Sequence, residues 1–436
     1  MRSLRRRRFV AGVSGAGAWI LAACGPQRAG PAGRERLSEA PVTIQFFKRG
    51  TRPENEVEAM LRDWHQAHPT WKVAVTQGID QTKLNALAAA GEKIDVLGWF
   101  QAARTLILSL NNVRSIDEQV KRDRYPVHKF SAKEIDLIGR YEGKLYALPY
   151  AYGGNATAIF YNRNLFREAG VPEPPDDWNK AWTWEQFREV LRKLTKKSGA
   201  TTTQIGLTDF GDPITSLLVL TDGKWISDDY RKAMADAPET IQTFERWADI
   251  VLKDGTVRAS QGVDLGSGDP FINGRAAMHV ICCGPADYAT RLEGTGIDWA
   301  FAPQPKIKYA SPDFQSNIIL LLKSGEQPEH GWELMKYLIE ANRYGNLEKR
   351  IPAVLDDAPQ WARETFKDKP AVRAHVVAEG VKFARPVDKI KYHPATQEMY
   401  DLVQPALRDI WAGKAPVAQT LRSLQPQLQA IIDRSR

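Results

Sequence analysis

Cysteine is scarce in this chain: three in 436 residues, Cys24, Cys282 and Cys283. Cys24 closes an N-terminal leader, and the other two are neighbours. Adjacent Cα atoms lie about 3.8 Å apart across a trans peptide, below the usual disulfide window of about 4.4–6.8 Å. Two reduced, buried thiols are therefore expected, with a strained vicinal disulfide as the alternative, and no disulfide framework holds the fold. Catalytic signatures are missing too. Beyond the leader there is no G-x-S-x-G, H-E-x-x-H, Walker A loop, C-x-x-C, EF-hand loop or G-x-G-x-x-G. Seven scattered histidines build no obvious metal site. His65 and His68 read as a solvated helix end. The acidic pairs Asp228-Asp229 and Asp356-Asp357 lie in polar, loop-like stretches. Adjacency does not give two carboxyls the ~5 or ~6.5–9.5 Å separation that glycoside hydrolysis needs. No catalytic residue, metal or cofactor is expected.

The leader lacks a long apolar run. Phe9–Ala23 carries three glycines and is too short for a bilayer span of ~20 apolar residues. Five arginines precede Phe9, and no acid appears before Glu35. A basic start, a weak apolar stretch and small residues at the end make an export signal rather than a membrane helix. Arg6-Arg7 followed by Phe9 fits a twin-arginine signal. Leu21-Ala22-Ala23-Cys24 resembles the bacterial lipobox, in which the cysteine becomes the lipidated first residue. Residues 1–23 are read as the export signal and Cys24 as the lipidation site. Residues 24–41, rich in Gly, Pro, Ala and Arg, are read as a flexible tether. The seventeen residues Gly25–Pro41 span roughly 20–25 Å as a coil, enough to hold a folded body off a membrane.

Concentrated charge is missing as well. The whole chain carries +8, but residues 1–23 hold five arginines and no acid. The remainder has 55 basic and 52 acidic side chains, a net +3. Nucleic-acid binding wants a concentrated basic patch, so nucleic acid is excluded as a partner.

What is present is aromatic and periodic. Thirteen tryptophans stand beside fifteen phenylalanines, a supply of flat apolar faces with N–H donors. Val42–Lys48 reads as a strand. Glu54–Ala67 follows with Val57, Met60, Leu61 and Trp64 at helical spacing. Trp71–Gln77 alternates as a strand, Gln81–Ala90 is helical, and Ile94–Phe100 is a third strand. This β-α-β-α-β order predicts a parallel sheet, with ligands outside the strands' carboxyl ends, where Trp99 and Phe100 fall. Later, Thr183 and Gln186 form a capping box opening a helix over Trp184–Lys197. Helices are expected over Pro238–Lys253, Pro328–Tyr344, Thr396–Ala412 (kinked at Pro405) and Val417–Ile432. The glycines at 199, 255 and 345 are read as stops.

Three segments carry a family resemblance. The first runs Gly143-Lys-Leu-Tyr-Ala-Leu-Pro149-Tyr150, then Ile159-Phe-Tyr-Asn162-Arg-Asn-Leu-Phe166-Arg-Glu-Ala-Gly170-Val-Pro172, then Trp182-Thr-Trp184-Glu-Gln-Phe187. The second is Phe271-Ile-Asn-Gly274-Arg-Ala-Ala277-Met278, and the third is the helix from Gln327 to Ile339. They resemble the extracellular solute-binding proteins of ABC importers, in the carbohydrate-binding family that includes maltodextrin-binding protein. The resemblance implies a periplasmic-binding-protein-like α/β fold, with two α/β lobes joined by crossover strands and a ligand cleft between them. Residues 42–150 and 315–350 would form lobe 1, and 151–314 and 351–436 lobe 2. It implies a membrane-anchored, extracytoplasmic monomer that delivers a carbohydrate to permease subunits. The alternatives are a surface polysaccharide hydrolase, a sensor or adhesion module that binds a ligand without an importer, or a receptor for a polyol, glycerol phosphate or other non-sugar solute.

Sugars present apolar C–H faces and hydroxyls, so a site needs aromatic platforms and charged hydrogen-bonding groups. By the resemblance, Trp99 matches a cleft tryptophan, and Lys48, Arg49 and Arg52 follow the first strand where polar contacts fall. Tyr150, Tyr152 and Asn155 lie on the expected crossover. Phe210 and Asp212 lie in a loop resembling a ligand-facing one, and Trp225 either stacks on ligand or packs. Cys282-Cys283-Gly284-Pro285 stands where the family has a glycine-tryptophan turn, so Tyr288 is the substitute platform beside Gly284. Arg350 and Arg385 either reach the cleft or serve as helix-end or salt-bridge residues.

Overall fold

Two β-sheets divide the chain between them. The structure, a computed structural model, describes residues 37, 40–100, 102–152, 158–280 and 284–435. The first sheet has six strands, in the order Ile351–Pro352, Ala147–Tyr152, Ser316–Leu321, Val96–Trp99, Val42–Lys48, Trp71–Thr76. Val42–Lys48 pairs in parallel with Trp71–Thr76 on one side and Val96–Trp99 on the other, as the β-α-β-α-β pattern predicts. The intervening helices are Glu54–Ala67 and Gln81–Ala89. The first buries Val57, Leu61 and Trp64, whose spacing of four and three puts them on one face. The second is capped by Asp80, which accepts the Lys83 N–H at 2.7 Å. Ser316–Leu321 and Ile351–Pro352 complete the sheet as antiparallel strands.

The second sheet runs Trp299–Ala302, Ile159–Asn162, Ala276–Val280, Thr201–Leu207, Lys196–Ser198. Ala276–Val280 is parallel to Thr201–Leu207 and antiparallel to Ile159–Asn162. Helix Trp184–Leu194 packs on this sheet through Trp184, Phe187, Leu191 and Leu194. Its capping box is present: the Thr183 hydroxyl accepts the Gln186 N–H at 3.2 Å, and the Gln186 carbonyl accepts the Thr183 N–H at 2.9 Å. Helices Pro238–Ala248, Thr396–Trp411 and Val417–Arg434 feed the same core, through Phe244, Leu407 and Leu428 among others.

Each sheet with its helices is a lobe with its own core, one around Leu97, Leu106, Ile318 and Leu320 and the other around Ile159, Phe187, Leu207 and Met278. The chain passes between the two sheets after Tyr152 and after Ala302, and after Pro352 it returns to the second lobe's core as helices. The last passage carries helix Ala358–Thr365 and Phe366, whose ring lies 5.4 Å from Phe301 and 6.3 Å from Trp299. Both sheets belong to one packed unit, Glu39–Arg436.

Two expected helices end elsewhere. The Trp184 helix stops at Leu194, and Lys196–Ser198 pairs antiparallel with Thr201–Leu207. Gly199, at φ +62°, therefore turns a hairpin rather than stopping a helix. The Pro328 helix stops at Ile339 because Ala341 and Asn342 take left-handed backbone at φ 49° and 51°. A second helix, Arg343–Leu347, then runs through Gly345.

Candidate functional site

The carboxyl ends of the first lobe's parallel strands gather a charged cluster. Lys48, the last residue of its strand, is wholly buried. Its ammonium lies 2.8 Å from the Glu348 carboxylate and donates to Gln77 Oε1 at 3.1 Å. Burial pulls its pKa below the usual lysine value, and Glu348 opposes that shift. Arg49 is exposed, its guanidinium 3.9 Å from the Phe100 ring centroid, a cation–π pairing. Arg52 donates to the Glu348 main-chain oxygen at 3.0 Å and reaches Asp287 of the second lobe at 3.4 Å.

The other first-lobe candidates lie deeper. Trp99 is 1 % exposed; its indole packs in the core with its centroid 5.1 Å from that of Phe100. Phe100, next in sequence, takes the edge position expected of Trp99. Tyr150 stacks on Tyr344 at 4.0 Å and 21°. Burial raises its hydroxyl pKa, and the charges of Arg350 and Arg49 act against that rise. Tyr152 is buried and donates to Glu134 Oε2 at 3.1 Å. Burial pushes the Glu134 carboxyl well above its ordinary range. Arg350 is half-buried behind Arg343–Leu347.

In the second lobe, Gly284 has φ +114°, and a Cβ there would lie 3.3 Å from the Lys349 oxygen of the first lobe. Tyr288 donates to Asp269 at 3.0 Å and stacks on His279 at 4.5 Å. It is buried among Phe160 and Phe271. Three expected site residues face inward. Trp225 is 0 % exposed and donates from Nε1 to the Ile214 oxygen at 2.8 Å. Phe210 packs against Phe187 and Trp247, at 6.5 and 5.9 Å, beside a cavity of about 470 Å³ that Asp209, Trp247 and Trp411 also line. Asp212 accepts from Lys391 at 3.1 Å, Tyr400 at 3.0 Å and the Ile214 N–H at 2.9 Å. Burial pushes its carboxyl up, but these partners outweigh burial and hold it low. Arg385 is committed to the second lobe: its guanidinium lies 3.6 Å from the Tyr309 centroid and 3.4 Å from Asp222. Asn155, Cys24, Cys282 and Cys283 lie outside the described residues.

Sequence reasoning missed Arg104, Tyr230 and Tyr392, which join the lobes. Arg104, in helix Ala103–Leu110, stands 4.2 Å from the Tyr230 centroid, and Lys389 is 5.0 Å from the same ring. Thr105 donates from its hydroxyl to the Tyr392 main-chain carbonyl at 3.1 Å. The usable signal was the strand-end rule carried five residues past Trp99. Tyr230 gave none: it is a turn residue at φ 63°. His68, read as a solvated end, stacks on Trp71 at 4.2 Å.

This arrangement has a known setting. Residues 62–341 match the family model of bacterial extracellular solute-binding proteins, and the chain belongs to that family. Its location is therefore extracytoplasmic. The multiple sugar-binding protein of Streptococcus mutans is 22 % identical over 318 residues, covering 70 % of this chain and 66 % of that relative. The chain thus spans just under two thirds of its length. An ABC substrate-binding protein of Listeria monocytogenes in complex with cycloalternan superposes with TM-score 0.72 at 16 % identity, covering 90 % of this chain and 99 % of that one. UgpB of Mycobacterium tuberculosis in complex with glycerophosphocholine gives TM-score 0.70 at 17 % identity, covering 91 % and 99 %. At such identities these likenesses establish the fold, the two-lobed α/β architecture of periplasmic binding proteins.

Proposed function

We propose that this protein is the substrate-binding subunit of an ABC importer, capturing a sugar or oligosaccharide between its lobes and delivering it to membrane permease subunits. Residues 42–150 and 315–350 form one lobe of this reading, and 151–314 and 351–436 the other. The twin-arginine-like leader exports the chain, and lipid on Cys24 tethers it to the outer face of the membrane. The observation that carries the reading is the family match over residues 62–341, on a fold whose strand-end residues meet across a lobe seam. Arg49, Phe100, Tyr150 and Arg350 of the first lobe and Gly284, Tyr288 and Tyr230 of the second are the proposed surroundings of the ligand. A ligand touching both lobes binds the closed state better and so shifts the population toward it. The chain binds without chemistry in this reading.

A second reading, a solute bearing phosphate or carboxylate, draws on Arg49 and Arg104. Among the described residues neither arginine has a carboxylate partner, and each rests on an aromatic ring instead. A thermal-shift screen of the purified chain against mono- and oligosaccharides, polyols and sugar phosphates tests both. Ligand at 100 times its Kd adds about 2.7 kcal/mol, a shift of several degrees. A neutral saccharide recovered intact supports the first reading, and a sugar phosphate the second. A saccharide that is consumed overturns both in favour of a hydrolase.

A further inference from the structure

The seam holds an ion-pair network with no direct need of a ligand. Asp287 lies in the first turn of helix Pro285–Arg291, on the second lobe. Its carboxylate stands 3.4 Å from Arg52 and 3.8 Å from Lys349, both on the first lobe. Arg52 is held from behind: its Nη2 donates to the Glu348 main chain at 3.0 Å, and its Nε lies 3.5 Å from the Glu348 carboxylate. Glu348 is itself pinned by buried Lys48 at 2.8 Å. Gly50 makes room for it, because a Cβ there would sit 2.7 Å from Glu348 Oε2. The cationic side of the network is thus preorganised on one lobe, and the anion arrives with the other. Gly284, three residues before Asp287, brings the second-lobe backbone to within contact of Lys349.

We propose that Asp287 is a positioning residue that holds the lobes closed: Asp287 of the second lobe docks between Arg52 and Lys349 of the first and biases the hinge toward closure. The proposal rests on the solute-binding reading for its biological purpose, but its test needs no solute. Asp287 and Lys349 are partly exposed, with side chains 47 % and 37 % accessible. Salt therefore reaches these pairs, and the Debye length falls from about 10 Å at 0.1 M to about 3 Å at 1 M.

The experiment is small-angle X-ray scattering on the ligand-free chain, wild type against Asp287→Ala and Asp287→Lys, at 20 mM and 500 mM NaCl. Melting temperatures confirm that each variant is folded. At low salt the wild type should scatter as the more compact particle. Asp287→Ala should lower its closed-to-open ratio about two- to thirtyfold, the worth of two exposed pairs, and Asp287→Lys should lower it further by repulsion. High salt should expand the wild type and leave Asp287→Ala unmoved. Asp287→Glu should keep the compact form. Identical scattering for wild type and Asp287→Lys at low salt overturns the proposal. So does an expansion of Asp287→Ala with salt equal to that of the wild type. Neither result touches the solute-binding reading, which stands or falls on the ligand screen.

Discussion

The two lobes obey the same strand-end rule with opposite results. In the first, the residues after the parallel strands stay at the seam: Arg49 is exposed, Phe100 carries it, and Arg52 reaches the other lobe. In the second, the loop after Thr201–Leu207 is covered. Lys391 and Tyr400 close over Asp212, and Asp388 accepts the Trp225 N–H at 2.9 Å. Those covering residues arrive nearly two hundred positions later in the chain. A strand end presents ligand-facing residues only where no later segment packs over it, and that packing is a non-local fact.

The largest expected effect tests the covered side. Trp225→Ala should destabilise the protein by about 3–5 kcal/mol, the usual range for removing a buried tryptophan, because its indole is wholly enclosed and its Nε1 bond to Ile214 is lost. Urea denaturation measures it. A loss under about 1 kcal/mol, together with abolished ligand binding, would return Trp225 to the site and erase the contrast between lobes.

The next effect tests the open side. Lys48→Met should cost about 3 kcal/mol, because it leaves the Glu348 carboxylate buried without its ammonium partner. Lys48→Met combined with Glu348→Leu should recover most of that loss, since a buried pair replaced by apolar groups is often near neutral. Failure of the double variant to recover stability would mean that the loss runs through Gln77 on Lys48 or Arg52 on Glu348 rather than through the pair alone.

A third effect separates the lobes by pH. His279 and His393 belong to second-lobe segments, and burial lowers each to about 4. Their folded values lie below the ordinary 6.5, so their contribution is complete above pH 6.5 and is lost as pH falls through about 4, about 3 kcal/mol each at most. Asp388, pushed up to about 7 by burial, runs the other way, its penalty growing as pH climbs from about 4 to 7. Asp209, pushed up to about 6 by burial, acts in the same direction as Asp388, and the two carboxyls offset most of the histidines' loss. The readout is therefore a difference: between pH 7 and 4.5, His393→Gln should lose about 2 kcal/mol less stability than the wild type by urea titration. A difference that does not change with pH would mean that His393 titrates alike in the folded and unfolded chain, against its burial.

The uneven coverage also explains what could be read beforehand. The first three strands, their helices and the Thr183 capping box were legible because each depends on neighbours within a few residues. The hairpin at Gly199 was not, because Lys196–Ser198 becomes a strand only when Thr201–Leu207 offers an edge. Nor was the break at Ala341, where two non-glycine residues take left-handed backbone. The sites followed the same division. Arg49 and Arg52 stand where the strand-end rule puts charge. Trp99 was placed one residue off, because alternation along Val96–Trp99 turns its ring into the core and leaves Phe100 at the edge. Asp287 and Tyr230 matter only through residues of the other lobe, which no local pattern reports.

The smallest effect is the most specific. Arg49 is exposed, and its guanidinium lies over the face of Phe100 at 3.9 Å. An exposed cation–π pair is worth about 0.5–1 kcal/mol, so Arg49→Ala should leave the melting temperature within a few degrees of wild type. Its effect should fall on the ligand, because removing a guanidinium donor from a sugar or an anion costs more than removing it from water. Titration calorimetry with the solute that the thermal screen returns should show binding weakened by roughly tenfold, about 1.4 kcal/mol. The salt dependence then sharpens the comparison of ligands. For a neutral saccharide the wild-type Kd should hardly move between 50 and 500 mM NaCl, whereas for a phosphate or carboxylate it should rise with salt, less steeply in Arg49→Ala. Unchanged affinity in the variant would remove Arg49 from the site and shift the search to Arg350 and Arg104.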